Sequence, residues 1–360
     1  MKKLIILPII ALILTGCNSS TSKKETFQSW NECDALTTLK EYMKDVTDKN
    51  SEHYIPVEDR IATFDMDGTF VGELYPTYFE YNLLEYRVLE DENYKNKAPS
   101  DVVETAQDIR DFVRTGKALP KYDETHGFDM KHAYAAAKAY AGMSLKEFDD
   151  YVKEYAKKAA NGFTNMTYGQ SFYKPMLEVF NYLEENDFTY YVISGSDRFI
   201  CRALVDSLKI EPNRVIGMDV VLKSEEQGEN DGVNFTIKTN ETLYRTDELI
   251  IKNLKTNKVK QIAQEIGKVP VLSFGNSSGD EAMHNYCLSN QKYRHAAFML
   301  VADDDERDHA KKFNEDDAAF QKRIDGLYEK WENANYNVIS MKNDFKTIYG
   351  ENVTKSSFVF

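Results

Sequence analysis

Cysteine is scarce in this chain: four in 360 residues, with no Cys-x-x-Cys spacing. Setting Cys17 aside leaves Cys33, Cys201 and Cys287, an odd number that gives no disulfide framework. They read as buried or semi-buried thiols with at most one bridge among them. Long apolar runs are lacking too. The one that stands out, Leu4 to Leu14, is too short to be a comfortable membrane span, and none follows Cys17, which excludes a multi-span pump. Positive charge is in deficit, with 45 Lys and Arg against 59 Asp and Glu and a net charge of −14. That excess argues against nucleic acid or an anionic membrane surface as partner. It also means that any phosphate pocket must be built with local cations. There is no internal repeat. The strongest charge run, Asp303-Asp304-Asp305-Glu306, reads as a solvated loop after a strand.

The first residues carry a message of their own. Lys2-Lys3 form a basic start, the apolar run follows, and Leu14-Thr15-Gly16-Cys17 resembles a bacterial lipobox. Residues 1–16 are then a signal peptide, cleaved before a lipidated Cys17, and an ordinary secretory signal is the alternative. Removing Met1 to Gly16 takes two lysines away and leaves a net charge of −16. Residues 17–57 read as a lipidated polar tether followed by an amphipathic helix over Thr37 to Val46. The expected location is the extracytoplasmic face of a cell membrane, with the N-terminal lipid as membrane partner and no protein partner evident.

The most informative stretch is Phe64-Asp65-Met66-Asp67-Gly68-Thr69, arriving straight after Arg60-Ile61-Ala62-Thr63. A strand-like run enters a Gly-containing loop that opens with two aspartates one residue apart. In extended chain, residues i and i+2 point the same way, so Asp65 and Asp67 can face one pocket. One carboxylate can attack while the other handles the leaving group's proton. A divalent, oxygen-seeking cation fits between carboxylates.

The next strand-like run of similar quality is Phe188 to Ile193, much further on than one crossover helix requires. Between them, Tyr78 to Leu89, Asp101 to Val113, His132 to Ala141 and Leu145 to Ala160 read as helices, the last opened by a Ser144/Glu147 capping box. A helical cap over residues 78–167 follows, inserted into a core of residues 58–77 and 168–360. In that core, helices over Met176 to Glu185, Arg198 to Leu208 and Lys258 to Ile266 alternate with strands over Arg214 to Val221, Val269 to Phe274 and Ala297 to Val301. This alternation predicts an α/β fold with a doubly wound parallel sheet. Phe235 to Lys238 and the residues around Tyr244 are expected to form a small hairpin off the core.

Three further segments carry chemistry. Ser194-Gly195-Ser196 leaves a strand and opens a helix, a place where hydroxyl and backbone N–H groups can hold an anion. Lys258 begins a helix. Phe274-Gly275-Asn276-Ser277-Ser278-Gly279-Asp280 leaves a strand as a Gly-rich loop ending in a carboxylate. The specificity lies in the order of the four motifs, which resembles that of haloacid dehalogenase (HAD) superfamily phosphatases with a helical cap. The lead-in Val57 to Phe64, Tyr173 to Glu178 and Val338 to Asp344 are similar to secreted bacterial members, a group related to phosphoserine and phosphorylcholine phosphatases.

The resemblance implies a Mg²⁺-dependent phosphomonoesterase. Asp65 would be the nucleophile, and Asp67 would protonate the leaving oxygen and then activate water. Ser194 and Lys258 would hold the phosphoryl group, with Gly195 and Gly68 as backbone N–H donors. Asp65, the carbonyl of Asp67, and Asp280 would bind the metal, supported by Asn276 and Thr69. Two departures stand out. Asn276 replaces an aspartate found in many relatives, and its side-chain carbonyl is expected near the metal. Ser196-Asp197-Arg198 stands where relatives often have glycines. The expected substrate is a small phosphorylated metabolite, phosphocholine- or phosphoserine-like, because Glu73, Tyr75, Tyr78, Phe79, Tyr81 and Tyr86 cluster past the first motif and could hold a cationic group. The cap is expected to be mobile. The alternative is a lipid-anchored protein that binds a phosphorylated ligand without turnover.

Overall fold

The computed structural model describes residues 26–360, so the lipobox, Cys17 and the tether up to Lys24 lie outside the described residues. In chain order the helices are α1 (Asp34–Thr47), α2 (Phe79–Leu89), α3 (Ser100–Thr115), α4 (Phe128–Ala139), α5 (Leu145–Ala156), α6 (Lys174–Glu185), α7 (Arg198–Val205), α8 (Thr256–Gln261), α9 (Glu281–Leu288) and α10 (Asp317–Asn333). The strands are β1 (Ile61–Phe64), β2 (Phe163–Thr164), β3 (Thr189–Asp197), β4 (Val215–Ser224), β5 (Leu243–Ile251), β6 (Leu272–Gly275), β7 (Ala296–Val301), β8 (Asn337–Ser340) and β9 (Thr354–Lys355). Among the described residues no helix is long and apolar enough to cross a membrane.

Seven strands form one sheet in the order β5-β4-β3-β1-β6-β7-β8. Every pairing from β4 to β8 is parallel. The chain steps from β1 outward through β3 and β4, then returns to the other side of β1 for β6, β7 and β8. With right-handed crossovers, that reversal puts helices on both faces and leaves a crevice beyond the carboxyl ends of the strands flanking β1. Aromatic side chains lock the middle of the sheet. Phe64 of β1 stacks on Phe274 of β6 at 4.3 Å between ring centres, and Phe274 stacks on Phe298 of β7 at 4.8 Å. The carboxyl ends of β1 and β6 are thereby held side by side.

β5 runs antiparallel to β4, so the sheet is not wholly parallel. The hairpin expected from Phe235 to Lys238 is replaced by this longer ribbon: Tyr244 lies in β5, and Phe235 to Lys238 form no strand. The run Asp303 to Glu306 also differs from expectation. Asp303 and Asp304 are buried, because Asp303 accepts hydrogen bonds from Tyr328, Ser340 and the Lys342 N–H, while Asp304 pairs with Arg307.

Helices α2 to α5 fall within the interval 78–167. α5 begins with the Ser144/Glu147 capping box. This helical layer is clasped from two sides. At one edge Ser144 bridges Tyr244 of β5, the Gly142 N–H donates to the Arg245 carbonyl at 2.8 Å, and the Arg245 N–H donates to Met143 at 2.9 Å. At the other, β2 pairs with β9, and Asn161 exchanges two hydrogen bonds with Val359. Any opening of the cap has to break one of these seams.

The Arg245 guanidinium, fully buried, donates to Asp197 Oδ2 at 2.5 Å and to Oδ1 at 3.2 Å while lying 4.0 Å over the Phe148 ring of α5. Arg245→Ala would strand the buried Asp197 carboxylate and empty the space against Phe148. A loss of about 3 kcal/mol of stability is expected, the scale for removing one partner of a buried pair. Urea unfolding checks this, and an unchanged midpoint would count against Arg245 as the seam between cap and core.

Candidate active site

Asp65 follows β1 directly, and its N–H donates to the Phe274 carbonyl of β6 at 2.9 Å. The chain then tightens into a turn. The Met66 carbonyl accepts from the N–H groups of Thr69, Phe70 and Val71, and Gly68 takes φ +77°. A Cβ on Gly68 would lie 1.9 Å from Asn276 Nδ2 and 2.6 Å from Glu73 Oε2, so a side chain is excluded by contact as well as by conformation. The Gly68 N–H donates to the Val71 carbonyl at 2.7 Å. The N–H that the sequence reading expected to face phosphate is thus engaged within the turn.

Lys258 lies between the two ends of the constellation. It sits on α8, which continues as a π-helical turn over Ile262–Ile266, a form frequent at functional sites. Lys255, at φ +52°, starts that helix and donates its N–H to the Gly279 carbonyl at 3.1 Å, tying α8 to the Gly-rich loop. The Lys258 ammonium is 1% exposed and donates to Asp65 Oδ1 at 2.5 Å and to Asp280 Oδ1 at 2.7 Å. Asp280 Oδ2 accepts from the N–H groups of Asn276 and Ser277, both at 3.1 Å. Thr69 Oγ1 donates to Asp65 Oδ2 at 3.3 Å.

Two carboxylates thus share one ammonium and titrate as a unit. Burial, then the charge of Asp280, push Asp65 up to about 7 against the pull of Lys258. At Asp280 burial acts in the same direction, but the charge and hydrogen bond of Lys258 outweigh it and hold the carboxyl below its ordinary value. Burial also pushes Asp67 up to about 6, opposed by the Ser196 hydrogen bond. Asp67 Oδ2 accepts from Ser196 Oγ at 2.7 Å, while Asp67 Oδ1 is buried with no partner among the described residues.

These groups open into a cavity of about 310 Å³. Asp65, Asp67, Lys258, Gly195, Asn276 and Asp280 line it at the sheet end. Ser194 is fully buried behind this wall, its hydroxyl accepting from the Ser196 N–H at 3.0 Å, and Ser196 stands in the cavity beside Gly195. Asn276 directs its side-chain amide to Glu73 at 3.3 Å. Glu73 is pushed up to about 8 by burial and by the charges of Asp67 and Asp65.

The cap closes the cavity with Tyr78, Tyr81, Phe128 and Asp129. The rings meet edge to face, Tyr78 with Tyr81 at 5.3 Å and Tyr81 with Phe128 at 5.5 Å. Of the aromatic cluster seen in the sequence, Tyr78 and Tyr81 reach the cavity. Tyr75 and Phe79 are core, and Tyr86 lies under Lys158 in a separate crevice. Sequence reasoning missed Phe128, Asp129, and the buried pair Glu80–Lys252 at 2.9 Å, which crosses from the cap to the end of β5. No motif marks them, because each reaches the cavity from an element far away along the chain.

Among the described residues no three His, Cys, Asp or Glu side chains converge as a ready-made metal cluster. The ligand set expected from sequence uses two side chains, Asp65 and Asp280, and completes itself with a backbone carbonyl. The chemistry of the donors fits a hard divalent cation: all are oxygens, and two carboxylates share a single ammonium.

No family model matches the chain, and no curated protein matches it. Solved structures similar to it include a conserved protein of unknown function from Anaerococcus prevotii, 16% identical over 88% of this chain and 94% of that one, with a TM-score of 0.49. A cytosolic 5'-nucleotidase IIIB bound to cytidine is 11% identical over 89% and 90%, with a TM-score of 0.46. A phosphoserine phosphohydrolase-like protein from Francisella tularensis is 12% identical over 67% and 87%, with a TM-score of 0.37. Likeness this distant carries no argument about chemistry, which rests on the side chains themselves.

The Gly68 turn is testable against an internal control. Gly68→Ala and Gly142→Ala both place a Cβ at positive φ, +77° and +79°, but nothing lies within 4 Å of the Gly142 position. Gly142→Ala should cost about 1 kcal/mol, and Gly68→Ala clearly more, because it also displaces Asn276 and Glu73. Equal losses in thermal unfolding would show that the turn has room to spare.

Proposed function

We propose that this protein is a Mg²⁺-dependent phosphomonoesterase working through an aspartyl-phosphate on Asp65. The observation that carries the reading is the Lys258 ammonium held between Asp65 and Asp280, next to an Asp67 oxygen that has no partner, all in one cavity. A phosphomonoester carries negative charge that a carboxylate nucleophile repels. Lys258 offsets that repulsion and favours the ionised form of Asp65 against the burial that pushes it up to about 7, and Thr69 steadies its other oxygen. Asp65 and Asp280, with the Asp67 carbonyl, would hold the cation, which would supply positive charge to offset that of the phosphoryl oxygens.

The chain's own groups account for the proton. As an Asp65 oxygen bonds to phosphorus, the ester P–O bond breaks and Asp67 gives its proton to the departing alkoxide. Water then attacks the phosphorus of the acyl phosphate and gives its proton to Asp67, and Asp65 leaves with inorganic phosphate released. The cap walls shield both steps from bulk water.

The cavity favours a small substrate with a positive group on its alcohol portion, such as phosphocholine, or phosphoserine with its ammonium. Glu80 is neutralised by Lys252, and Asp65 and Asp280 share the one charge of Lys258, whereas Glu73 and Asp129 make no ion pair among the described residues and stand in the cavity beside the rings of Tyr78, Tyr81 and Phe128. Asp129 and three ring edges and faces suit an ammonium, and Glu73, whose proton burial and the charges of Asp67 and Asp65 hold up to about 8, would ionise as such a cation arrives. Location is part of the same reading: cleavage before Cys17 and lipidation there would place the enzyme on the outer side of a cell membrane.

Asp65→Asn should abolish both phosphoenzyme formation and turnover of p-nitrophenyl phosphate, since an amide is a poor nucleophile. EDTA should remove activity and Mg²⁺ restore it. Full turnover by the Asn variant, or in metal-free buffer, contradicts the mechanism. Glu73→Gln and Tyr78→Ala should raise KM for phosphocholine by about tenfold while changing KM for p-nitrophenyl phosphate little. A uniform change across both substrates would remove the case for a cationic substrate.

A further inference from the structure

We propose that Ser196 is the positioning residue for Asp67: its hydroxyl holds one carboxylate oxygen so that the other alone carries and delivers the proton. The inference rests on Asp67 acting as the acid–base group, as proposed above.

Ser196 Oγ donates to Asp67 Oδ2 at 2.7 Å, and Asp67 Oδ1 is left buried with no partner. A carboxyl whose Oδ2 is engaged by a donor takes its proton on Oδ1. Asp67 lines the cavity, and of its two oxygens Oδ1 has no hydrogen bond to give up before it meets a leaving group. Without the hydroxyl, either oxygen could carry the proton and the carboxyl could turn, and part of the population would hold it in an unproductive direction.

The hydroxyl itself is rigidly placed. The Ser196 N–H donates to the buried Ser194 hydroxyl at 3.0 Å. The next residue is pinned twice: its N–H donates to Glu80 Oε2 at 3.2 Å, and its carboxylate takes the buried Arg245 guanidinium. From the β4 side, a Cβ on Gly217 would stand 2.6 Å from the Ser196 carbonyl, so backbone packs directly against backbone there. The Asp67 side is equally firm, because the turn over Met66 to Val71 closes on the Met66 carbonyl. Both partners of the hydrogen bond are therefore presented by fixed backbone, and a side chain of one size, bearing one hydroxyl, spans the gap.

The proton in question moves as the ester P–O bond breaks: Asp67 loses it from Oδ1, and the leaving oxygen gains it. A poor leaving group needs that proton; a good one departs nearly as well without it. The test is therefore the dependence of kcat/KM on the leaving group, using phenyl phosphate and p-nitrophenyl phosphate with the wild-type chain, Ser196→Ala and Ser196→Thr. Ser196→Ala should lose about tenfold in kcat/KM on phenyl phosphate and much less on p-nitrophenyl phosphate. Ser196→Thr, which keeps the hydroxyl, should recover most of the phenyl phosphate rate.

Equal losses on both substrates, or no loss on either, would overturn the proposal, as would a Thr variant no better than Ala. If Ser196→Ala fails to fold, Ser196→Cys, with a weak donor of similar size, should show the same selective loss, and a uniform one refutes it. Asp65→Asn run alongside keeps the two claims apart: if it retains turnover, the phosphatase reading itself is wrong, whereas its inactivity with an indifferent Ser196→Ala rejects only the role of Ser196.

Discussion

Lys258 is the group around which the candidate site is organised. Its ammonium is out of contact with water and lies between two carboxylates that come from opposite ends of the chain's chemistry, Asp65 after β1 and Asp280 after β6. A lysine buried this deeply remains charged only where anions compensate the lost hydration, and its proton is here held more firmly than usual: burial works against it, but Asp280 and Asp65 prevail. The dependence is mutual. Two neighbouring carboxylates without a cation would repel each other and take up protons. The strained start of α8 at Lys255 and its tie to Gly279 are the backbone's contribution to this arrangement. An overall charge of −14 makes the need for a local cation acute.

A second constraint explains Asn276. Its side-chain amide points to Glu73 at 3.3 Å, and both crowd the space above Gly68. An aspartate at this position would set a carboxylate against Glu73, itself already under the charges of Asp65 and Asp67. The amide removes that repulsion and lets a carboxylate stand at the cavity wall.

The cap adds the remaining walls and does so from a closed position. Seams to β5 and β9, a buried pair between Glu80 and Lys252, and the Arg245–Asp197 contact bind the helical layer to the core. Three aromatic side chains of that layer line the same cavity of about 310 Å³ as Asp65, Asp67 and Lys258. A space of that size admits a small molecule, and shape and charge at its wall can select among candidates.

Local pattern was enough to reveal much of this. Alternating apolar strands and amphipathic helices announce an α/β sheet, and the spacing of Asp65 and Asp67, with the Gly-rich loop before Asp280, marks residues whose roles depend on immediate chain neighbours. Strand alternation, helix capping at Ser144 and the turn at Gly68 are short-range properties, written in a few consecutive residues. Other features depend on where distant segments meet. The antiparallel course of β5, the burial of Asp303 and Asp304, and the division of the aromatic cluster into Tyr78 and Tyr81 at the cavity and Tyr75 in the core follow from packing partners far away in sequence. So do the pairing of Lys252 with Glu80 and the reach of the Ser196 hydroxyl to Asp67. Short-range pattern thus sets the order of elements and the chemical types at the site, whereas which side chains share the cavity is settled by folding, because contact and burial belong to segments brought together from far apart.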